Sequence, residues 1–75
     1  MELQLKVMEK LSIGEKIKRV RTNKGLSQQD FAEAIGLSRT YISDLENNRK
    51  SPSVKTLEKI AKKMNTFLYI SIGGL

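Results

Sequence analysis

The stretch from Gln28 to Asn47 reads QQDFAEAIGLSRTYISDLEN, and it decides how this chain folds. Gly36 divides it into two amphipathic segments, and a serine, Ser27 or Ser38, stands just before each of them. A serine in that N-cap position accepts a hydrogen bond from an otherwise unpaired amide of the first helical turn. Glycine ends a helix at little cost because it adopts the left-handed conformation without strain. The spacing therefore predicts a helix over Gln28–Ile35 and a second helix so close behind it that the two must cross sharply.

Similar start signals predict one more helix on each side of this pair. Ser12-Ile13-Gly14-Glu15 has the pattern of a capping box, and the helix that it opens ends near Gly25. Ser51-Pro52-Ser53 opens the last helix, with Pro52 in its first turn and Asn65 as its C-cap. The apolar stripe expected on that helix consists of Val54, Leu57, Ile60, Ala61 and Met64.

The two ends of the chain differ from the middle, and each allows two interpretations. Residues 66–72, TFLYISI, are rich in β-branched and aromatic residues, which favours a strand over the competing fifth helix. Apolar and polar residues alternate over 3–7, as in a second strand, although the apolar positions from there to Leu11 also fit one helical face.

Composition limits the chain to one domain and excludes several classes of function. Its 75 residues leave room for one core, so we expect a single domain over 1–75 with its core in 12–64. The extensions, 1–11 and 65–75, are expected to serve dimerisation. Without cysteine or histidine the chain lacks disulfides, the usual zinc and haem ligands and thiol nucleophiles. We therefore expect no metal, no cofactor and no enzymatic activity.

The charge of the chain indicates an anionic partner. The net charge is +6 and the isoelectric point is near 9.8. Residues 13–26 and 49–64 are basic, and they flank a mildly acidic segment at 27–48. Nucleic acid is the leading partner for such a surplus. No apolar run approaches the roughly 20 residues of a membrane-spanning helix, so we expect a cytoplasmic protein with no membrane partner.

Three motifs carry a resemblance to a known family: GLSQQDFA at 25–32, GLSRTYISDLEN at 36–47 and PSVKTLEKIA at 52–61. The central stretch has the layout of a helix-turn-helix. Over residues 12–64 the chain resembles the helix-turn-helix domain of the Cro and C1 phage repressors and of the related xenobiotic-response-element regulators of bacteria. The resemblance implies an all-α, lambda-repressor-like bundle of four or five helices, usually a homodimer, whose third helix enters the major groove of double-stranded DNA.

The same resemblance implies roles for single residues. Gln28 matches a residue that contacts a DNA phosphate. The start of the third helix matches the base-contacting segment, where Arg39 can donate two hydrogen bonds to a guanine or, alternatively, only neutralise a phosphate. Tyr41 belongs either to the core or to a phosphate contact. The residues implied in DNA binding are Gln28, Ser38, Arg39, Thr40, Tyr41, Ser43, Asn47, Arg49 and Lys50.

Two further matches concern the end of the third helix. Asn47, Arg49 and Lys50 match a loop that grips the sugar-phosphate backbone, with a solvated charged segment as the alternative. Arg21 and Glu46 match positions that often form a partly buried ion pair, whose role is structural.

Together these features predict a dimeric, sequence-specific transcriptional regulator, most simply a repressor of an inverted-repeat operator. An alternative is an antitoxin that neutralises a toxin protein and represses its own operon, which the strand-like tail favours slightly. A non-specific nucleic-acid or membrane-surface binder fits poorly with the acidic centre and the ordered motifs. An enzyme fits least, because no acid, base or nucleophile stands out.

Overall fold

A computed structural model describes residues 11–65, and they form four α-helices. These are α1 (Ile13–Asn23), α2 (Gln28–Ile35), α3 (Arg39–Glu46) and α4 (Val54–Lys63). The predicted all-α bundle is confirmed, and α2 has the predicted bounds. The strand-or-helix alternatives for 3–7 and 66–72 lie outside the described residues, and the extension of one domain over 1–75 stays a prediction.

Each of the four described helices follows directly after a serine N-cap, as the start signals predicted. The hydroxyls of Ser12, Ser27, Ser38 and Ser53 each accept a hydrogen bond from the amide three residues ahead, at 3.0–3.1 Å. The C-terminal end of α2 is also fixed locally, because Gly36 ends the helix in the left-handed conformation with a φ of 72°. Short-range hydrogen bonds therefore determine where each of these helices starts and where α2 ends.

The capping box at the start of α1 is complete. The backbone N–H of Ser12 donates to Oε1 of Glu15 at 3.0 Å, while the Ser12 hydroxyl accepts from the Glu15 amide. The hydrogen bond from the Ser12 backbone stabilises the charged carboxylate and so lowers the pKa of Glu15 below its ordinary value of 4.5. A pKa lowered by folding contributes stability above pH 4.5 that is lost as the pH falls through the folded value.

One core joins all four helices. Helix α3 packs against both α1 and α2, and α4 packs against α2. Leu26, Leu37 and Tyr41 are partly buried against this core. Its buried apolar residues are Ile17, Phe31, Ala32, Ile35, Ile42, Leu45, Leu57, Ile60 and Met64. None of the helices within 11–65 is long and apolar enough to cross a lipid bilayer.

Three details of the last helix were predicted wrongly. Val54 is 54% exposed, so it does not belong to the buried stripe. At about 100° per residue it lies at the edge of the face that Leu57 and Met64 bury. Pro52 lies before the N-cap Ser53 and not in the first turn. The C-cap is Met64, and Asn65 follows it in the left-handed conformation with a φ of 51°.

At Gly14, the backbone of α1 lies close against the end of α3. A β-carbon built on Gly14 would overlap the carbonyl oxygen of Leu45 and would lie 2.8 Å from that of Glu46. Both obstacles are backbone atoms, which cannot rotate away. Glycine is therefore required at this point in α1.

We expect the Gly14→Ala variant to be destabilised by about 2 kcal/mol, the usual size of an overpacking penalty. In an unobstructed helix the same change stabilises by roughly 0.5–1 kcal/mol, so the two effects have opposite signs. Thermal unfolding followed by circular dichroism measures the difference. An unchanged or higher melting temperature would show that the contact between α1 and α3 is looser than described.

Candidate nucleic-acid interface

Helices α2 and α3 are joined by a turn of three residues, Gly36, Leu37 and Ser38. The Leu37 amide donates to the carbonyl of Ala32 at 2.9 Å, and the left-handed Gly36 reverses the chain. Ser38 then caps α3, so only three residues separate the end of the first helix from the start of the second. Both helices also bury apolar residues in the core, so core packing and the turn together fix the angle at which they cross.

The first turn of α3 is an exposed part of this unit. Ser38, Arg39 and Thr40 are all exposed, whereas Ile42 and Leu45 of the same helix are fully buried. Among residues 11–65, no side chain forms a hydrogen bond or ion pair with the Arg39 guanidinium. Within the described part of the protein, the N–H groups of Arg39 are therefore available to an external ligand.

Below this surface, a buried polar network connects three helices. Nε and Nη2 of Arg21 on α1 donate to the two carboxylate oxygens of Glu46 on α3, at 2.7 and 3.1 Å. The amide nitrogen of Gln28 on α2 donates to Oε1 of Glu46 at 3.1 Å. The side chains of Arg21 and Glu46 are only 11% and 2% exposed. Nη1 of Arg21 also donates to the carbonyl of Leu26 at 2.8 Å.

This network determines the orientation of Gln28. The side chain is half-buried, and its contact with Glu46 uses one N–H of the amide. The other N–H and the carbonyl oxygen remain for a ligand at the start of α2. In the described part of the chain, no buried side-chain nitrogen or oxygen lacks a hydrogen-bond partner.

The segment after α3 folds back over the last turn of that helix. The side-chain nitrogen Nδ2 of Asn47 donates to the backbone carbonyl of Ser43 at 2.8 Å. Nε of Arg49 donates to Oδ1 of Asp44 at 3.0 Å, and Nη2 donates to the Ser43 hydroxyl at 3.2 Å. Nζ of Lys50 lies 3.7 Å from Oδ2 of Asp44. Asn47 and Arg49 thus contact Ser43 directly, and Asp44 connects Arg49 with Lys50.

Of the two roles that the sequence left open for Tyr41, the structure shows the contact with the core, and the phosphate contact stays a prediction. Its ring packs partly buried against the core. The Nζ of Lys50 lies 5.8 Å from the ring centroid, within the range of a cation–π contact. Tyr41 therefore connects the core to the basic segment after α3.

Asn48 is a structural residue of the site that the sequence analysis missed. Its Oδ1 accepts a hydrogen bond from the Gly14 amide at 3.1 Å, and its Nδ2 donates to the Ser12 hydroxyl at 2.9 Å. Its backbone is left-handed, with a φ of 60°. Asn48 thus ties the segment after α3 to the start of α1. The one available signal was the residue type, since asparagine tolerates this conformation better than most residues.

Two helices that cross at a three-residue turn, with a buried face and an exposed first turn on the second helix, define a helix-turn-helix protein. The helix-turn-helix family model matches residues 17–67, which is more than half of the chain. The chain belongs to this family, as the resemblance to Cro and C1 proteins predicted.

Two relatives come from Bacillus phage phi105. The ImmF control region 10 kDa protein is 48% identical over 58 residues, which cover 77% of this chain and 64% of that protein. The immunity repressor protein is 41% identical over 51 residues, which cover 68% of this chain and 35% of that protein. The chain thus matches less than two thirds of the length of either relative.

A solved structure has the same fold. The crystal structure of SinR, described as the master regulator for biofilm formation, in complex with DNA superposes with a TM-score of 0.70 at 34% identity. The match covers 76% of this chain and 92% of that one.

Proposed function

We propose that this chain is a sequence-specific DNA-binding transcriptional regulator that acts as a dimeric repressor on an inverted-repeat operator. The observation that carries the proposal is the exposed first turn of α3, held in place by the buried contacts of Arg21, Glu46 and Gln28. A helix presented in this way fits the major groove of B-DNA. Family membership supports the proposal, as do a relative named an immunity repressor and a structural neighbour solved with DNA.

Each group of residues has a distinct role in this proposal. Arg39 reads a base edge, with Ser38, Thr40 and Ser43 beside it on α3. Gln28 contacts a phosphate and sets the docking angle without reading sequence. Asn47, Arg49, Lys50 and the hydroxyl of Tyr41 contact the sugar-phosphate backbone beyond α3.

The proposal has two corollaries. Dimerisation through the terminal extensions would place the two copies of α3 about one DNA turn, roughly 34 Å, apart. A regulator of this kind acts in the cytoplasm of a bacterium. The antitoxin alternative finds no support among the relatives described above, which are named for control and repression.

We expect the affinity for duplex DNA to fall steeply with salt. Arg39, Arg49 and Lys50 bring three cations per chain, and Asp44 offsets one of them. A bound dimer then displaces about four counterions, so its affinity falls about 150-fold between roughly 50 and 200 mM salt. Fluorescence anisotropy with labelled duplex DNA measures this slope.

A matched pair of variants separates the interface from the overall charge. Changing Arg49 and Lys50 to alanine should weaken DNA binding and flatten the salt dependence. The same loss of charge at Lys62 and Lys63, on the exposed last turn of α4, should change both much less. Equal effects of the two double variants, or no duplex binding by the wild type at low salt, would refute the proposed interface.

A further inference from the structure

Asp44 is an acidic residue on the helix that we propose enters the DNA. Its side chain is only 18% exposed. Both of its carboxylate oxygens face cations, with Arg49 Nε at 3.0 Å from Oδ1 and Lys50 Nζ at 3.7 Å from Oδ2. Its carbonyl accepts hydrogen bonds from the backbone amides of Arg49 and Lys50 at 2.8 and 3.3 Å. The backbone hydrogen bonds hold the segment after α3 in place, while the Asp44 carboxylate pairs with the two cations of that segment.

Stability does not explain this carboxylate. The side chains of Arg49 and Lys50 are 59% and 61% exposed, and exposed ion pairs contribute little to folding. The two backbone hydrogen bonds would keep the segment folded back without any charge on Asp44. The consequence of the carboxylate must therefore lie in what it does to the two cations.

Arg49 and Lys50 are the cations that the proposed function assigns to the DNA backbone. A phosphate that approaches them meets a carboxylate already bound to both, and that carboxylate repels the phosphate as well. Phosphate contacts supply essentially all of the affinity for DNA of arbitrary sequence. A group that competes for those contacts weakens this part of the affinity directly.

We infer that Asp44 is an internal competitor for DNA phosphate, which lowers the affinity of this protein for duplex DNA irrespective of sequence. The inference rests on the proposed function. It makes tight binding depend on base contacts made elsewhere on α3, because the backbone contacts alone are partly neutralised within the protein. Asp44 thus adjusts the sequence-independent part of DNA recognition.

The test compares Asp44→Asn with the wild type on a labelled duplex of random sequence, over a series of salt concentrations. Asparagine keeps an acceptor for Arg49 but removes the charge. We expect each bound chain to gain about 15-fold in affinity at roughly 50 mM salt and about fourfold at roughly 200 mM, because one more counterion is released. The slope of log affinity against log salt should steepen by about 0.9 per chain.

Asp30→Asn is the matched control. It makes the same change of charge on the exposed face of α2, where Asp30 pairs with neither Arg49 nor Lys50. We expect its effect on affinity to stay below about threefold, because Asp30 is exposed, where salt screens its charge, and because it neutralises neither cation. In a background where Arg49 and Lys50 are alanine, Asp44→Asn should raise the affinity much less, because it then removes only the repulsion between the carboxylate and the phosphate.

The possible results are distinct. An Asp44→Asn variant that binds random duplex no better than Asp30→Asn, or more weakly than the wild type, would overturn the inference, because Asp44 would then only shape the segment. The melting temperature of each variant shows whether it is folded. Wild-type protein that binds no duplex at low salt would refute the proposed function, and the inference with it.

Discussion

We expect the Glu46→Ala variant to lose about 3 kcal/mol of unfolding free energy, because the change strands a charge in the protein interior. Arg21 would keep only its hydrogen bond to the Leu26 carbonyl, while its side chain is 11% exposed. Gln28 would lose its partner at the same time. For a domain of this size the melting temperature should fall by about 12–24 °C. Calorimetry or thermal unfolding by circular dichroism measures the change.

Two further variants show whether the stranded charge is the cause. Glu33→Ala removes an exposed carboxylate whose contact is a hydrogen bond from Gln29 on the same helix, and it should cost less than about 0.5 kcal/mol. Replacing both Arg21 and Glu46 by methionine removes the pair without leaving a lone charge, and it should recover most of the lost stability. A melting temperature of Glu46→Ala within about 2 °C of the wild type would contradict this account of the network.

We expect the Arg39→Ala variant to lose its preference for one base pair in each half of the operator. A guanidinium that donates two hydrogen bonds to guanine discriminates by about 1–3 kcal/mol, so each half-site should lose roughly 5- to 150-fold in selectivity. Stability should hardly change, because Arg39 is exposed and has no partner among residues 11–65. Selection from a random duplex library, done in parallel for variant and wild type, measures the preference at each position.

Arg49→Ala provides the contrast for that experiment. A residue that contacts only phosphate should weaken binding about equally for every sequence and leave the base preferences intact. If Arg39→Ala behaves in the same way and weakens binding to every sequence about equally, then Arg39 neutralises a phosphate and does not read a base. The assignment of the base-reading residue would then move to Ser38, Thr40 or Ser43.

The helices and their starts could be predicted because the decisive contacts are local. Each serine N-cap bonds an amide three residues ahead, and Gly36 needs no partner to take its left-handed conformation. Residues that form such short-range contacts lie close together in the sequence, so the pattern of residue types reveals the contact. The errors at Val54 and Asn65 arose at the two ends of α4, where helical periodicity alone does not decide burial or the last capped residue.

The contacts that assemble the candidate site are long-range, and they could not be derived from spacing. Arg21 and Glu46 are 25 residues apart, and only the resemblance to known repressors indicated that they meet. Nothing in the sequence showed that Asn48 caps α1 across 34 residues. The two cations held by Asp44 were equally hidden, because a charged run after a helix is compatible with a solvated surface. Such contacts depend on how the helices cross, which the packing of the whole core decides.

Selection of wild-type binding sites from random duplex DNA, at physiological salt, tests the central claim most directly. A dimer that presents two copies of α3 should enrich one inverted repeat, with half-site centres about one helical turn, 10–10.5 base pairs, apart. Library pools that stay random through the selection, while the protein still binds them, would contradict the claim that this chain reads DNA sequence.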